Sequence, residues 1–153
     1  MNRIGNCLWF DTQAEEAANF YVSIFKNSRI KQVTRWPAGA PQAGQVLTVS
    51  FEIDGREFLG LNGGPQFKFS EAISLIVNCE TQEEIDHYWA KLTEGGQESQ
   101  CGWLKDKFGL SWQVVPVALG RLLGNPATAP RVMGELMKMV KLDLATLERA
   151  AKE

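Results

Sequence analysis

Apolar and polar residues follow one pattern twice along this chain: an apolar run, a Thr-Gln-x-Glu tetrapeptide, then apolar residues at helical spacing. Cys7-Leu8-Trp9-Phe10 leads to Thr12-Gln13-Ala14-Glu15, and Leu75-Ile76-Val77-Asn78-Cys79 leads to Thr81-Gln82-Glu83-Glu84. Each run predicts a strand. Each tetrapeptide predicts a capping box, in which the Thr oxygen takes an orphan amide of the first helical turn and the Glu reaches back to the Thr amide. Helices are expected over residues 12–25 and 81–92, the first with Ala14, Ala17, Ala18, Tyr21, Ile24 and Phe25 on one stripe. Gly95-Gly96 stops the second.

Strands follow each helix. Residues 4–10 open the first half, and residues 30–36, 47–53 and 58–61 complete it; Asp54-Gly55 is a two-residue hairpin turn that needs positive φ. Two prolines and two glycines make residues 37–44 a loop. In the second half, residues 72–79, a short piece near 98–101, and a hairpin of 102–106 with 110–115 are expected. Beyond Pro116, Leu119, Leu122 and Leu123 suggest a short helix, Val132, Leu136, Met137 and Val140 a second, and Asp143 caps a third. The duplication predicts an α+β fold of two half-sheets facing each other across a cleft. Residues 1–116 form the paired sheet domain, and residues 117–153 form a helical extension of it.

Composition narrows the function. With 153 residues the chain suits one domain that buries roughly 70% of its unfolded surface. Its net charge of −2 comes from 16 basic and 18 acidic residues, interspersed and without a basic stripe, so neither nucleic acid nor an anionic membrane is an expected partner. No apolar run approaches the ~20 residues of a membrane span. The N-terminal residues lack a secretory apolar core. Cys7, Cys79 and Cys101 are odd in number and widely spaced, which argues for a reduced, cytoplasmic protein.

Several segments resemble one family closely: Leu8-Trp9-Phe10-Asp11 with Phe20-Tyr21, Leu61-Asn62-Gly63-Gly64-Pro65, residues 69–75 and, most specifically, residues 101–116. They are similar to the PhnB-like branch of the glyoxalase/bleomycin-resistance/dioxygenase (vicinal oxygen chelate) superfamily, whose members often carry the label 3-demethylubiquinone-9 3-methyltransferase-like. The resemblance implies two βαβββ modules forming a curved mixed sheet, a homodimer, and an apolar cleft in each curved sheet. Metal-dependent members place His or Glu ligands on early and late strands of the modules. The matching positions here fall near Ile4 or Asn6, near Asn62, between Ala72 and Ser74, and at Gln113.

Those positions are poor in ligand chemistry, because borderline divalent ions need imidazole, carboxylate or thiolate donors. The sole histidine, His87, lies on a predicted helix, and Gln113 is a neutral amide. No metal or cofactor is therefore expected. Cys101 lacks an evident base and is read as a small apolar residue, and no catalytic residue is assigned. Asn62-Gly63-Gly64-Pro65 lacks the strand–GxGxxG–helix context of a dinucleotide site and is read as a tight strand exit. A methyl donor of nucleotide type is usually held by a parallel α/β sheet with a glycine-rich first turn, which this chain lacks. Period-two alternation puts Ser111, Gln113 and Val115 on the cleft face, with Trp112 behind. The same parity assigns Asn6, Leu8 and Phe10 to the cleft, with Cys7 and Trp9 behind. The five tryptophans are read as mostly core. The expected function is binding of a small apolar or aromatic molecule, oriented by Asn6, Asn62, Ser74 and Gln113 and contacted by Leu8 and Phe10. A metal-independent enzyme of unknown reaction is the alternative.

Overall fold

A computed structural model describes residues 2–152. The chain forms two compact units, one ending at Phe69 and the other beginning at Ser70. The first contains β1 (Asn6–Phe10), α1 (Ala14–Ile24), β2 (Arg29–Arg35), β3 (Val46–Ile53) and β4 (Arg56–Asn62). Its sheet order is β1-β4-β3-β2, with β1 parallel to β4 and the other pairs antiparallel. A strand followed by a crossover helix supplies the parallel pair, and hairpins supply the rest. At the β3–β4 turn, Asp54 and Gly55 have φ of 48° and 76°, as the type I′ reading requires.

α1 buries Ala14, Ala17, Ala18 and Tyr21 against one sheet face, while Ile24 and Phe25 stay half-buried at its end. Three alanines let the helix approach closely: a Cβ added at Gly60 on β4 would stand 3.2 Å from the Ala14 Cβ. Phe51 stacks between Tyr21 (6.4 Å between centroids) and Phe58 (5.6 Å). Each such aromatic contributes roughly 2–3 kcal/mol through buried apolar area.

The second unit repeats the plan with β5 (Ser74–Cys79), α2 (Gln82–Thr93), β6 (Gln97–Glu98), β7 (Trp103–Lys105) and β8 (Ser111–Pro116), in the order β5-β8-β7-β6 with β5 parallel to β8. Ile85, Trp89 and Leu92 of α2 are buried, as are Leu104, Trp112, Val114, Val77 and Cys79 of the sheet. Of the five tryptophans, Trp89 and Trp112 are core, whereas Trp9, Trp36 and Trp103 are half-buried, so the core assignment holds for two. Burial pushes the Cys79 thiol up to about 11, with help from the Glu84 charge, which fits an inert core residue.

Three helices follow, α3 (Leu119–Gly124), α4 (Ala129–Leu136) and α5 (Leu144–Lys152). They share a core of Leu122, Val132, Leu136, Leu142, Leu147 and Ala150, against which Cys101 and Val115 pack. Asp143 caps α5 by accepting the Thr146 amide at 3.1 Å. Polar stitches tie the extension to its unit. The Gln82 side chain donates to the Leu142 carbonyl (3.0 Å) and accepts from the Leu144 amide (2.8 Å). The amides of Cys101 and Gly102 donate to the carbonyls of Met139 and Val140, both at 2.8 Å.

The β7–β8 turn is organised by Asp106, which is 3% exposed. One carboxylate oxygen accepts from the amides of Phe108 (2.8 Å) and Leu110 (3.1 Å), and the other from the Trp112 indole N–H (2.8 Å). A buried carboxylate is tolerated when its lone pairs are met in this way. Replacing Asp106 with Ala leaves these donors unpaired in the interior. Urea unfolding followed by tryptophan fluorescence should show a loss of about 3 kcal/mol, and a loss below about 1 kcal/mol would contradict this role.

Candidate ligand-binding face

Each sheet is covered by its helix on one face, and strand register identifies what the other face carries. In the second unit Gln113 pairs with Ile76 and with Trp103, while Ser111 pairs with Ser74 and with Lys105, and Lys105 pairs with Gln97. These residues share the face opposite Trp112 and Leu104. On it the Gln113 Nε2 donates to the Ser74 Oγ at 2.9 Å, Trp103 is half-buried, and Ile76 is largely exposed. A cavity of about 500 Å³ is lined by the register partners of this Ser74–Gln113 pair, Ser111 and Trp103, together with residues that include Glu71, Glu98, Cys101 and Lys105. Val115 extends the same face into the core of the C-terminal helices, so that end of the sheet is covered. The expected placement of Gln113 and Trp112 on opposite faces is what the structure has.

In the first unit the expected parity of β1 is reversed. Leu8 and Phe10 are 8% and 3% exposed and lie on the α1 side: Leu8 pairs with Gly60, the Phe10 ring lies 3.6 Å from the place a Gly60 Cβ would occupy, and it meets Phe69 edge-on at 5.3 Å. They are core residues of that unit. The opposite face of β1 instead carries Cys7, which is exposed, and Trp9, which is half-buried. Asn6, at the strand start, is exposed and donates to the Glu57 carbonyl at 3.4 Å.

Asn62 has a structural task that sequence spacing did not reveal. Its Oδ1 accepts from the Ala14 amide at 2.9 Å and its Nδ2 donates to the Val46 carbonyl at 3.1 Å. The N-cap of α1 is Gln13, which makes no side-chain cap, so the predicted Thr12 capping box gives way to a cap delivered from β4. The second box keeps its Thr: the Thr81 Oγ1 accepts from the Glu84 amide at 3.2 Å. Asn62-Gly63-Gly64-Pro65 is the strand exit expected of it, and its glycines make room for Trp9. The indole fills the place a Gly63 Cβ would occupy, its N–H donates to the Gly64 carbonyl at 2.9 Å, and Phe67 meets it edge-on at 4.8 Å.

His87 is exposed on α2, in edge contact with Tyr88. Cys101 is half-buried in the left-handed region (φ 60°), with its Sγ 3.8 Å from the Met137 Sδ. Among the described residues no three His, Cys, Asp or Glu side chains are gathered so as to hold a metal ion. Ser74 and Gln113 engage each other with a hydroxyl and an amide, and Asn62 spends its amide on backbone groups; these donors do not fit a borderline divalent ion.

Two helix-backed four-stranded mixed sheets, each joining its first and last strands in parallel, make this a glyoxalase-fold protein of the vicinal oxygen chelate superfamily. Solved structures with the same fold include a protein from Pseudomonas aeruginosa (17% identity, 76% of this chain and 98% of that one, TM-score 0.64). They also include the fosfomycin resistance protein FosX from Listeria monocytogenes, described as complexed with Mn(II) and sulfate (13% identity, 80% and 95%, TM-score 0.56). Residues 2–115 match the family model described as 3-demethylubiquinone-9 3-methyltransferase. A Bacillus cereus structure described as a putative 3-demethylubiquinone-9 3-methyltransferase, PhnB protein, is 36% identical over 76% of this chain and 100% of that one, with a TM-score of 0.70. The chain belongs to this PhnB-like 3-demethylubiquinone-9 3-methyltransferase family. No functionally curated protein matches it.

If Asn62 serves α1 as described, Asn62→Ala should lower unfolding stability by about 1 kcal/mol, the usual worth of a helix cap. Asn62→Asp should retain most of it, because Oδ1 is the acceptor. Equal losses for both variants in chemical denaturation would contradict the capping role.

Proposed function

We propose that this protein binds a small apolar or aromatic molecule on the open face of its second sheet, without a metal ion. In this reading it works as a cytoplasmic homodimer. The observation that carries the proposal is the Ser74–Gln113 pair: it is set between Ile76 and Trp103, and its register partners Ser111 and Trp103 line a cavity of about 500 Å³. Cavities of that size with a few convergent polar groups suit small molecules. Ser74 and Gln113 orient the ligand, and Trp103 and Ile76 supply contact area. Leu8 and Phe10 take part only as the core that holds their own sheet, and Asn62 as its helix cap. The exposed Asn6 remains a rim polar group.

Methyl transfer is not part of this reading, although the family's description carries that word. The parallel pairings join only the first and last strands of each sheet, the other pairs are antiparallel, and neither strand–helix turn is glycine-rich. A nucleotide-type donor is ordinarily held on a doubly wound parallel sheet. A second reading, a metal-independent enzyme, is favoured by one observation: Cys101 lines the same cavity in a left-handed conformation unusual for its side chain.

A thermal-shift screen of aromatic compounds, run with a chelator and with added Mn²⁺ or Zn²⁺, tests the binding reading. A ligand at 100 times its Kd stabilises by about 2.7 kcal/mol, and the shift should be the same in both buffers. Gln113→Ala should weaken the best ligand about tenfold, the loss of one hydrogen bond of about 1.4 kcal/mol. Stabilisation that appears only with the divalent ion would reject the metal-free reading. Consumption of the ligand that Cys101→Ser slows would favour the enzyme.

A further inference from the structure

Three features of the second unit converge on one end of the open face. Lys105 on β7 and Ser111 on β8 are directly opposed Cα partners, so their side chains stand side by side on that face. The Ser111 hydroxyl is fully buried and, among the described residues, has no hydrogen-bond partner. An unpaired buried hydroxyl is costly and calls for an explanation. The Lys105 ammonium has a partner, the carboxylate of Glu71, which reaches it from the exposed segment before β5. Both groups line the cavity, and Trp103 stands one row further along the same face.

We propose that this cavity takes a small aromatic carboxylate, with Glu71 as a built-in placeholder for the ligand's acid group. One ligand carboxylate oxygen accepts from the Lys105 ammonium and the other from the Ser111 hydroxyl, which gives the orphan group its partner. The aromatic body lies along Trp103. The segment carrying Glu71 swings aside when the ligand's carboxylate replaces it. This rests on reading the second sheet's face as a ligand surface, and adds the ligand's charge and the means of its admission.

Charge bookkeeping on that face agrees. Glu98, on β6, also lines the cavity, but its carboxylate is engaged: it accepts the Trp89 indole N–H at 2.9 Å. Its neighbour Gln97, on the cavity side, is neutral. With Glu71 displaced, Lys105 is the cation of the cavity, and the remaining carboxylate, Glu98, is held by Trp89. Glu71 stays ionised and competitive at neutral pH, because the hydrogen bond and charge of Lys105 hold its carboxyl below the usual range. A tethered competitor of this kind acts at a high effective concentration, so its removal should tighten binding.

The probes are 2-naphthoate and its neutral analogue 2-naphthamide, titrated into the full-length chain by calorimetry. Glu71→Gln should bind 2-naphthoate several-fold more tightly than the unaltered protein, and Lys105→Met at least tenfold more weakly. 2-Naphthamide should change little in either variant. Ser111→Ala should raise thermal stability, because it removes an unpaired polar group, while it weakens 2-naphthoate. Equal affinity for the two probes, or no tightening in Glu71→Gln, would overturn the carboxylate proposal and leave the small-molecule reading standing. Failure of both probes together with a blank aromatic screen would overturn both.

Discussion

Each four-stranded sheet is covered by a single helix, and that shortage of cover shapes everything else in this structure. One helix shields one face. In the first unit the helix face takes Leu8, Phe10, Val49, Phe51, Ile53 and Phe58, packed under the small residues of α1. In the second it takes Val77, Cys79, Leu104, Trp112 and Val114 under α2. The opposite faces must carry residues that tolerate water or await another surface. In the second unit the C-terminal helices take up part of this demand by packing on Val115 and Cys101. They leave Trp103, Lys105 and Gln113 half-exposed, with the buried Ser111 among them.

These rows have a distinct chemistry. A hydroxyl and an amide satisfy each other at Ser74 and Gln113, a tryptophan and an isoleucine offer apolar area, and one lysine is held by a carboxylate from a neighbouring segment. Such a face lacks the imidazole and carboxylate set that a borderline metal needs, but it suits a flat ligand with a few polar points. The buried polar groups that organise the scaffold are kept apart from it. Asp106 and Trp112 meet on the helix side, and Gln82 spends its amide on the link to α5. Scaffold polarity is satisfied internally, whereas Ser111 is not.

Periodicity, capping chemistry and turn residues made the duplicated plan readable from the chain, down to the Asp54-Gly55 turn and the Asp143 cap. What escaped had long-range causes. The α1 cap comes from Asn62, 48 residues away, so the local Thr12 box gave a plausible but unused alternative. On β1 every position from Cys7 to Phe10 is apolar, so alternation could not decide which parity faces the helix; the clue lay on β4, where Gly60 admits the alanine face of α1. Asp106 read as a hairpin end because its Trp112 partner is brought round by the turn it stabilises. The site residues divide likewise. The face of Gln113 followed from period two and Ser74 came through the family resemblance, while Lys105, Ser111 and Glu71 gain their importance from register and burial that one strand's sequence does not carry.

The most direct test of the account is a two-dimensional NMR titration of uniformly ¹⁵N-labelled protein with 2-naphthoate in a buffer containing EDTA. The account predicts saturable shifts of the Gln113 side-chain amide and the Trp103 indole N–H, with the Trp112 indole, bound to Asp106 beneath the sheet, left in place. Shifts absent from Gln113 and Trp103 at saturation, or present only after a divalent ion is restored, would contradict it.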